Sequence, residues 1–177
     1  MPITPNSKDR LIQTSRSVVR IAALTNRLLL AAVILGLLLS WTFPAFFVAA
    51  LIHPGPATDV QSTLTGMRWM LLLGISMALA TDRLLAALAQ IVASAGAGDP
   101  FVSANALRLQ TIGWALLFLQ LLEVPGAIIG RFFPILSSGT PTVPFSPGGW
   151  IAVLMVFVLS RVFAAGSVMR DELEGTV

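Results

Sequence analysis

Long uncharged stretches alternate with short polar or proline-rich segments along this chain, and the pattern predicts four membrane-spanning helices. The first uncharged stretch, residues 28–52, would form a helix about 37 Å long, which is enough to cross a hydrocarbon core of about 30 Å. The predicted spans cover, in chain order, residues 24–51, 67–93, 106–130 and 149–167. We therefore expect an all-α, polytopic membrane protein that forms a single membrane domain over residues 1–177.

The segments between the predicted spans have the composition of turns and loops. Residues 53–66 and 131–148 are rich in proline, glycine, serine or threonine, and we interpret both as loops. Residues 96–104 form a predicted tight turn that contains Gly-Asp-Pro-Phe. Within it, Asp99 is a candidate N-cap for a helix whose first residue is Pro100, because proline lacks the N–H group that would be unsatisfied there.

The N-terminal segment, residues 1–20, is basic, and its apolar positions recur at helical spacing. Two interpretations stay open for it: a helix lying on an anionic membrane surface, or a simple continuation into the first span. The apolar run that follows is too long for the core of a signal peptide, which is about 7–15 residues long. We therefore expect a retained membrane anchor.

Basic residues are distributed unequally around the first predicted span. Five precede or begin it, whereas the loop at residues 53–66 has none; the five are Lys8, Arg10, Arg16, Arg20 and Arg27. Because positively charged flanks stay in the cytoplasm, we predict a cytoplasmic N-terminus. Four passes then place the turn and the tail, residues 168–177, in the cytoplasm and both loops outside.

Composition narrows the range of functions. Hydrophobic residues make up 56% of the chain and charged residues 11%, whereas soluble domains average about 25% charged. The chain has no cysteine and one histidine, His53, and it has no phosphate-binding or nucleophile-elbow motif. We expect neither metal nor cofactor nor enzymatic activity. The net charge of +3 is typical of topology-setting arginines, so direct nucleic-acid binding is not expected.

Ionisable residues lie inside the apolar stretches, where each costs about 2.5–3.5 kcal/mol on insertion. Asp82 and Arg161 fall at similar depths on the second and fourth spans, and we predict that they pair. Glu123 lies in the outer half of the third span, and Arg68 is its predicted partner. For each set, a structural role and a role in conduction or sensing stay open.

Small residues at four-residue spacing predict close helix packing, which is also compatible with a homo-oligomer. The pairs are Gly36 with Ser40, Gly74 with Ala78, and Gly126 with Gly130.

Two stretches resemble a known family. They are GDPFVSANALRLQTIGWALL at residues 98–117 and RVFAAGSVMRDELEGTV at residues 161–177. With the four-helix plan, they are similar to the bacterial DUF2975 family of small, functionally uncharacterised membrane proteins. The residues that carry the resemblance are Asp99, Pro100, Phe101, Asn105, Ala106, Arg108, Leu109, Ile112, Gly113 and Trp114 in the first stretch, and Arg161, Phe163, Gly166, Thr176 and Val177 in the second.

The resemblance implies a multi-pass protein of the bacterial inner membrane. Because members of the family often lie beside a small helix-turn-helix regulator, it also implies a non-enzymatic membrane partner or sensor for such a regulator. The turn residues and the acidic tail are then expected to share one cytoplasmic face, with Arg108 pairing with the tail; its acids are Asp171, Glu172 and Glu174. A capped turn with a solvated tail is the simpler alternative. A small transporter or channel subunit that uses Glu123 and the Asp82–Arg161 pair is the alternative function.

Overall fold

The computed structural model describes residues 7–46, 60–97, 102–133 and 146–174. Of these residues 96% are helical and none lies in a strand, which confirms the all-α prediction. The long helices are α1 (Ser7–Thr42), α2 (Val60–Gly96), α3 (Ser103–Phe132) and α4 (Pro147–Glu174). Each is long and apolar enough to cross a membrane. The protein is therefore a four-helix, multi-pass membrane protein by the length and composition of its described helices, and its orientation stays a prediction.

The described part of the N-terminal basic segment, residues 7–20, belongs to α1. This helix is continuous from Ser7 to Thr42, which favours the continuation of the segment into the first span. It is interrupted at Phe43, which is not helical and precedes Pro44, and residues 44–46 are helical again; the predicted end of the span at residue 51 lies outside the described residues. The residue before a proline is disfavoured in helical conformation by the proline ring.

The other helices extend beyond their predicted ends. Residues 60–66, predicted as part of a loop, form the first two turns of α2. The Gln-Ser-Thr-Leu-Thr-Gly sequence there has weak helix propensity, but Thr63, Leu64 and Met67 are buried, and this packing stabilises the helix. Likewise α3 begins at Ser103, inside the predicted turn, and α4 continues into the predicted tail as far as Glu174. Because Val102 is not helical, α3 does not begin at Pro100, and the prediction of Asp99 as its N-cap is wrong.

The chain divides into two compact units. The first unit consists of Met1–Asn26, Thr81–Leu117 and Pro147–Val177, and the second of Arg27–Ala80 and Phe118–Ser146. In the first unit, α3 buries Ala106, Leu109, Ile112 and Ala115, and their three-residue spacing spreads them over about half of the helix circumference. These residues form part of the core of the first unit.

Small residues allow close packing in the second unit. A Cβ atom added to Gly74 of α2 would lie 3.6 Å from Val33 Cγ1 of α1, and one added to Gly126 of α3 would lie 3.1 Å from Leu73 Cδ2 of α2. Gly74 and Gly126 therefore serve helix contacts within the chain.

Large hydrophobic side chains are exposed along all four helices. Leu28 is 72% exposed, Leu79 is 52% exposed, Ile128 is 50% exposed and Leu154 is 65% exposed. An apolar surface of this extent is unfavourable in water and matches the lipid-facing side of a transmembrane bundle.

Candidate functional site

A buried amide lies at the centre of the first unit's polar contacts. Asn105, in the first turn of α3, has no solvent-exposed surface. Its Nδ2 donates a hydrogen bond to Ser94 Oγ of α2 at 2.8 Å, and its Oδ1 accepts one from Arg108 Nη1 at 2.7 Å. Both polar atoms of the amide are therefore bonded, as burial in an apolar environment requires.

Arg108 extends the same network to a second position on α2. Its Nε donates to Gln90 Oε1 at 3.0 Å, and its Nη1 also reaches the Gln90 carbonyl at 3.4 Å. Gln90 and Ser94 are one turn apart on α2, and Asn105 and Arg108 are one turn apart on α3, so each pair shares a helix face. We call these four residues the α2–α3 polar network.

The side chains of the α2–α3 polar network hold two helix ends together. Its members are two amides, a hydroxyl and a guanidinium, and their hydrogen bonds join the end of α2 to the start of α3. In a membrane such groups bond to one another because lipid tails offer no acceptors. The network therefore fixes the two helix ends that flank residues 98–101.

A second cation lies beside the same end of α2. Arg16 Nη2 of α1 is 2.8 Å from the position that a Cβ atom on Gly96 would occupy. Gly96 is the last residue of α2, where the helix dipole favours a positive charge. A side chain at position 96 would displace Arg16, so the glycine allows this approach.

Three further residues of the resemblance, Ala106, Gly113 and Trp114, contact α4 from α3. A Cβ atom on Gly113 would be 3.1 Å from the Phe157 ring, and Trp114 meets that ring edge-on with centroids 5.5 Å apart. The buried Ser160 hydroxyl donates to the Ala106 carbonyl at 3.0 Å. Gly113 and Trp114 therefore serve helix packing.

The second unit contains a different arginine site. Arg68 Nη2 of α2 donates to the Ser40 carbonyl at 2.8 Å, and its guanidinium carbon lies 4.4 Å from the centre of the Trp41 ring. In a regular helix the carbonyl of residue 40 would accept from the N–H of residue 44, but Pro44 has no N–H. Arg68 thus satisfies a carbonyl that the proline leaves without its helical donor.

Neither predicted ion pair is favoured by the described contacts. Arg68 bonds to Ser40 and stacks on Trp41, and no ion pair of the half-buried Glu123 is found among the residues that the structure describes. Arg161 is exposed and borders a groove between α3 and α4, while Asp82 is half-buried. The Asp82–Arg161 and Arg68–Glu123 pairs therefore stay predictions without support from these contacts.

The predicted cytoplasmic face is only partly described. Arg108 bonds to Gln90 of α2 and to Asn105, which lies one turn before it on α3. These contacts do not favour its predicted pairing with the tail. Glu172 is exposed near the end of α4. Outside the described residues lie Asp99, Pro100, Phe101, Thr176 and Val177, together with the side chains of Asp171 and Glu174.

Sequence reasoning missed the partners of its own motif residues. Gln90 and Ser94 stand four residues apart at the polar end of an apolar stretch, a short turn away from Asn105 and Arg108. Two polar pairs that flank a turn between antiparallel helices indicate side chains that meet, so this pattern could have predicted the network. Pro44 was likewise a signal that the carbonyl of residue 40 needs another donor.

Comparisons with known proteins assign neither a family nor a function to this chain. No family model, curated protein or solved structure matches the chain. The resemblance to the DUF2975 family stays a prediction. Among the described residues, no group of three or more histidine, cysteine, aspartate or glutamate side chains is placed to hold a metal ion.

Proposed function

We propose that this chain is a non-enzymatic, multi-pass protein of a bacterial inner membrane that holds a small cytoplasmic helix-turn-helix regulator at one membrane face. The docking surface in this proposal combines the α2–α3 connection with the acidic end of α4. The family resemblance suggests the kind of partner, and the contacts of the first unit suggest where that partner docks.

The observation that carries the proposal is the α2–α3 polar network. Its hydrogen bonds are made between its own members, at 2.7–3.0 Å for the principal contacts. Groups engaged in this way hold the end of α2 against the start of α3. Two helix ends held together are preorganised, which lowers the entropy cost of binding a partner there. The exposed Glu172 adds an acidic group at the end of α4.

The test is mild crosslinking in native membranes, purification of the full chain, and mass spectrometry of the recovered proteins. We expect a small DNA-binding protein in stoichiometric amount. Removing residues 171–177 is expected to abolish its recovery. Arg108→Met should reduce recovery several-fold while the protein still inserts, because the end of α2 and the start of α3 lose the hydrogen bonds that Arg108 makes between them.

Arg131→Gln provides the matched control. It removes one positive charge from the opposite end of α3, and recovery of the regulator should be unchanged. Recovery of the chain alone, or only with other membrane proteins, contradicts the proposal. Equal loss with Arg131→Gln and Arg108→Met would also contradict it, because the effect would then be one of general charge.

A second candidate function rests on Glu123. This carboxylate is half-buried in α3, two residues before Pro125, within a helix long and apolar enough to span a membrane. Carboxylates at such positions serve proton relays and ion sites. The chain would then be a small transporter or channel subunit.

Flux measurements separate the two candidates. In proteoliposomes, a transporter would lose proton or cation flux in Glu123→Gln at unchanged folded yield, and Glu172→Gln would keep it. Asp82→Asn and Arg161→Gln provide an independent comparison. In a scaffold with a structural pair, each lowers folded yield and a charge swap restores it, whereas in a transporter the yield survives and flux fails.

A further inference from the structure

A groove of about 510 Å³ opens between α3 and α4 in the first unit. Small residues Ala106, Ser160 and Ala164 line it together with the aromatic side chains of Trp114 and Phe157. The Ser160–Ala106 hydrogen bond at 3.0 Å fixes the register of the two helices along it. The groove is therefore a defined feature of the packing.

One cation borders this apolar groove. Among the described residues that line it, Arg161 alone carries a charge, and the uncharged amide of Gln110 is the other long polar side chain. Arg161 is exposed. A guanidinium beside an apolar groove that offers no carboxylate is complementary to an anionic ligand with an apolar part. Arginine binds phosphate oxygens with two parallel hydrogen bonds.

The depth of the groove matches that of a phospholipid. Arg161 lies six residues before the predicted end of the fourth span at residue 167, about 9 Å along the helix, and the long arginine side chain can carry its guanidinium from there toward the headgroups. Phe157 lies four residues, about 6 Å, farther into the span. The Trp114 ring meets Phe157 edge-on, so both rings lie at the level of the acyl chains.

We propose that this groove binds an anionic glycerophospholipid, with its phosphate on Arg161 and an acyl chain along Trp114 and Phe157. Both the charge and its depth favour this occupant, since basic positions between helices near a membrane surface bind anionic headgroups. The proposal requires membrane insertion only, and it is independent of whether a regulator binds.

The test uses the quenching of tryptophan fluorescence by brominated acyl chains. The full chain is reconstituted in vesicles that contain brominated phosphatidylglycerol or brominated phosphatidylcholine at equal mole fraction. Trp114→Phe identifies the component of the signal due to Trp114. We expect this component to show about a fivefold preference for phosphatidylglycerol, and the preference should fall as salt is raised.

Arg161→Gln should remove the preference while the helical circular dichroism stays unchanged. Arg83→Gln is the matched control, because Arg83 is exposed in the same unit and does not line the groove; it should keep the preference. Equal quenching by both lipids in the unsubstituted protein, or a preference that survives Arg161→Gln, overturns the proposal. So does a salt-independent preference.

A second copy of the chain is the competing occupant. Leu107 lines the groove and is 67% exposed, and the chain has no cysteine of its own. Leu107→Cys should therefore stay monomeric under oxidising conditions in membranes if lipid fills the groove. Efficient disulfide-linked dimers would assign the groove to a protein contact and overturn the lipid proposal.

Discussion

Two arginines inside apolar helices, Arg108 in the first unit and Arg68 in the second, are accommodated in different ways. Arg108 bonds chiefly to the side-chain amides of Gln90 and Asn105. Arg68 bonds to the backbone carbonyl of Ser40 and stacks on an aromatic ring. The first arrangement depends on the identity of its partners, whereas the second depends on where a helix lacks a donor. The following predictions test this difference, from the largest expected effect to the smallest.

Asn105→Leu is expected to have the largest effect. It removes the acceptor of Arg108 Nη1 and the donor to Ser94 Oγ, and leaves a cation in an apolar environment with fewer bonds. We expect a loss of about 2–3 kcal/mol in the free energy of unfolding. The measurement is thermal or denaturant unfolding in detergent, followed by helical circular dichroism. Gln110→Leu, at an exposed amide on the same helix, should cost far less; equal losses would mean that the network contributes little.

Arg68→Met should cost about 1–2 kcal/mol, because the Ser40 carbonyl loses its donor and Trp41 its cation. Pro44→Ala restores a backbone N–H at residue 44, so the same Arg68→Met change should cost less than half as much in that background. A double-mutant cycle measured by unfolding gives the coupling. Additive effects of the two substitutions would contradict the role of Arg68 as a substitute donor.

Two glycines with the same clearance should respond differently to alanine. At Gly113 the neighbour at 3.1 Å is the ring of Phe157, whereas at Gly126 it is one methyl of Leu73. The rigid Phe157 ring cannot move away from an added methyl group as the flexible Leu73 side chain can. Alanine also favours a helix over glycine by about 1 kcal/mol. We therefore expect Gly113→Ala to destabilise by about 1 kcal/mol and Gly126→Ala to be near neutral.

Phe157→Leu should rescue Gly113→Ala, because it removes the ring that the added methyl meets. Unfolding of the single and double variants in detergent measures this rescue. If the two alanine variants lose the same stability, or the rescue fails, the rigidity of the ring is not the cause.

Ser160→Ala should have the smallest effect, about 0.5 kcal/mol, which is typical of hydrogen bonds between membrane helices. The Ala106 carbonyl that loses this donor is in the body of α3, where it still accepts from the helix backbone. The apparent melting temperature should fall by no more than a few degrees. A fall as large as that of Asn105→Leu would mean that the α3–α4 contact matters as much as the α2–α3 polar network.

The positions of the helices could be predicted well from the sequence, and their ends could not. Residues 60–66 have a loop-like composition, yet they are helical because Thr63 and Leu64 are buried. Burial depends on which surface lies opposite, and local propensity carries no information about that surface. The interruption of the helix at Phe43 was more predictable, because Pro44 acts on its immediate neighbour through sterics alone.

For the candidate sites, the sequence identified important residues but not their partners. Asn105 and Arg108 were identified through the family resemblance, and Arg68 as the predicted partner of Glu123. Depth along each helix suggested Glu123 for Arg68 and Asp82 for Arg161, because opposite charges were the obvious solution. In the structure, neutral amides, a hydroxyl and a backbone carbonyl surround Arg108 and Arg68 instead.

The sequence by itself determined that this protein is a helical membrane protein with four long apolar helices. The length of an apolar run and its lack of charge are local properties, and they decide directly whether a helix is stable in lipid. Only the tertiary structure decided which polar side chains meet. That choice depends on helix rotation and register, and a rotation of one residue, about 100°, turns a side chain from its partner toward lipid. The α2–α3 polar network, the Arg68 site and the groove at Arg161 all follow from that second level of organisation.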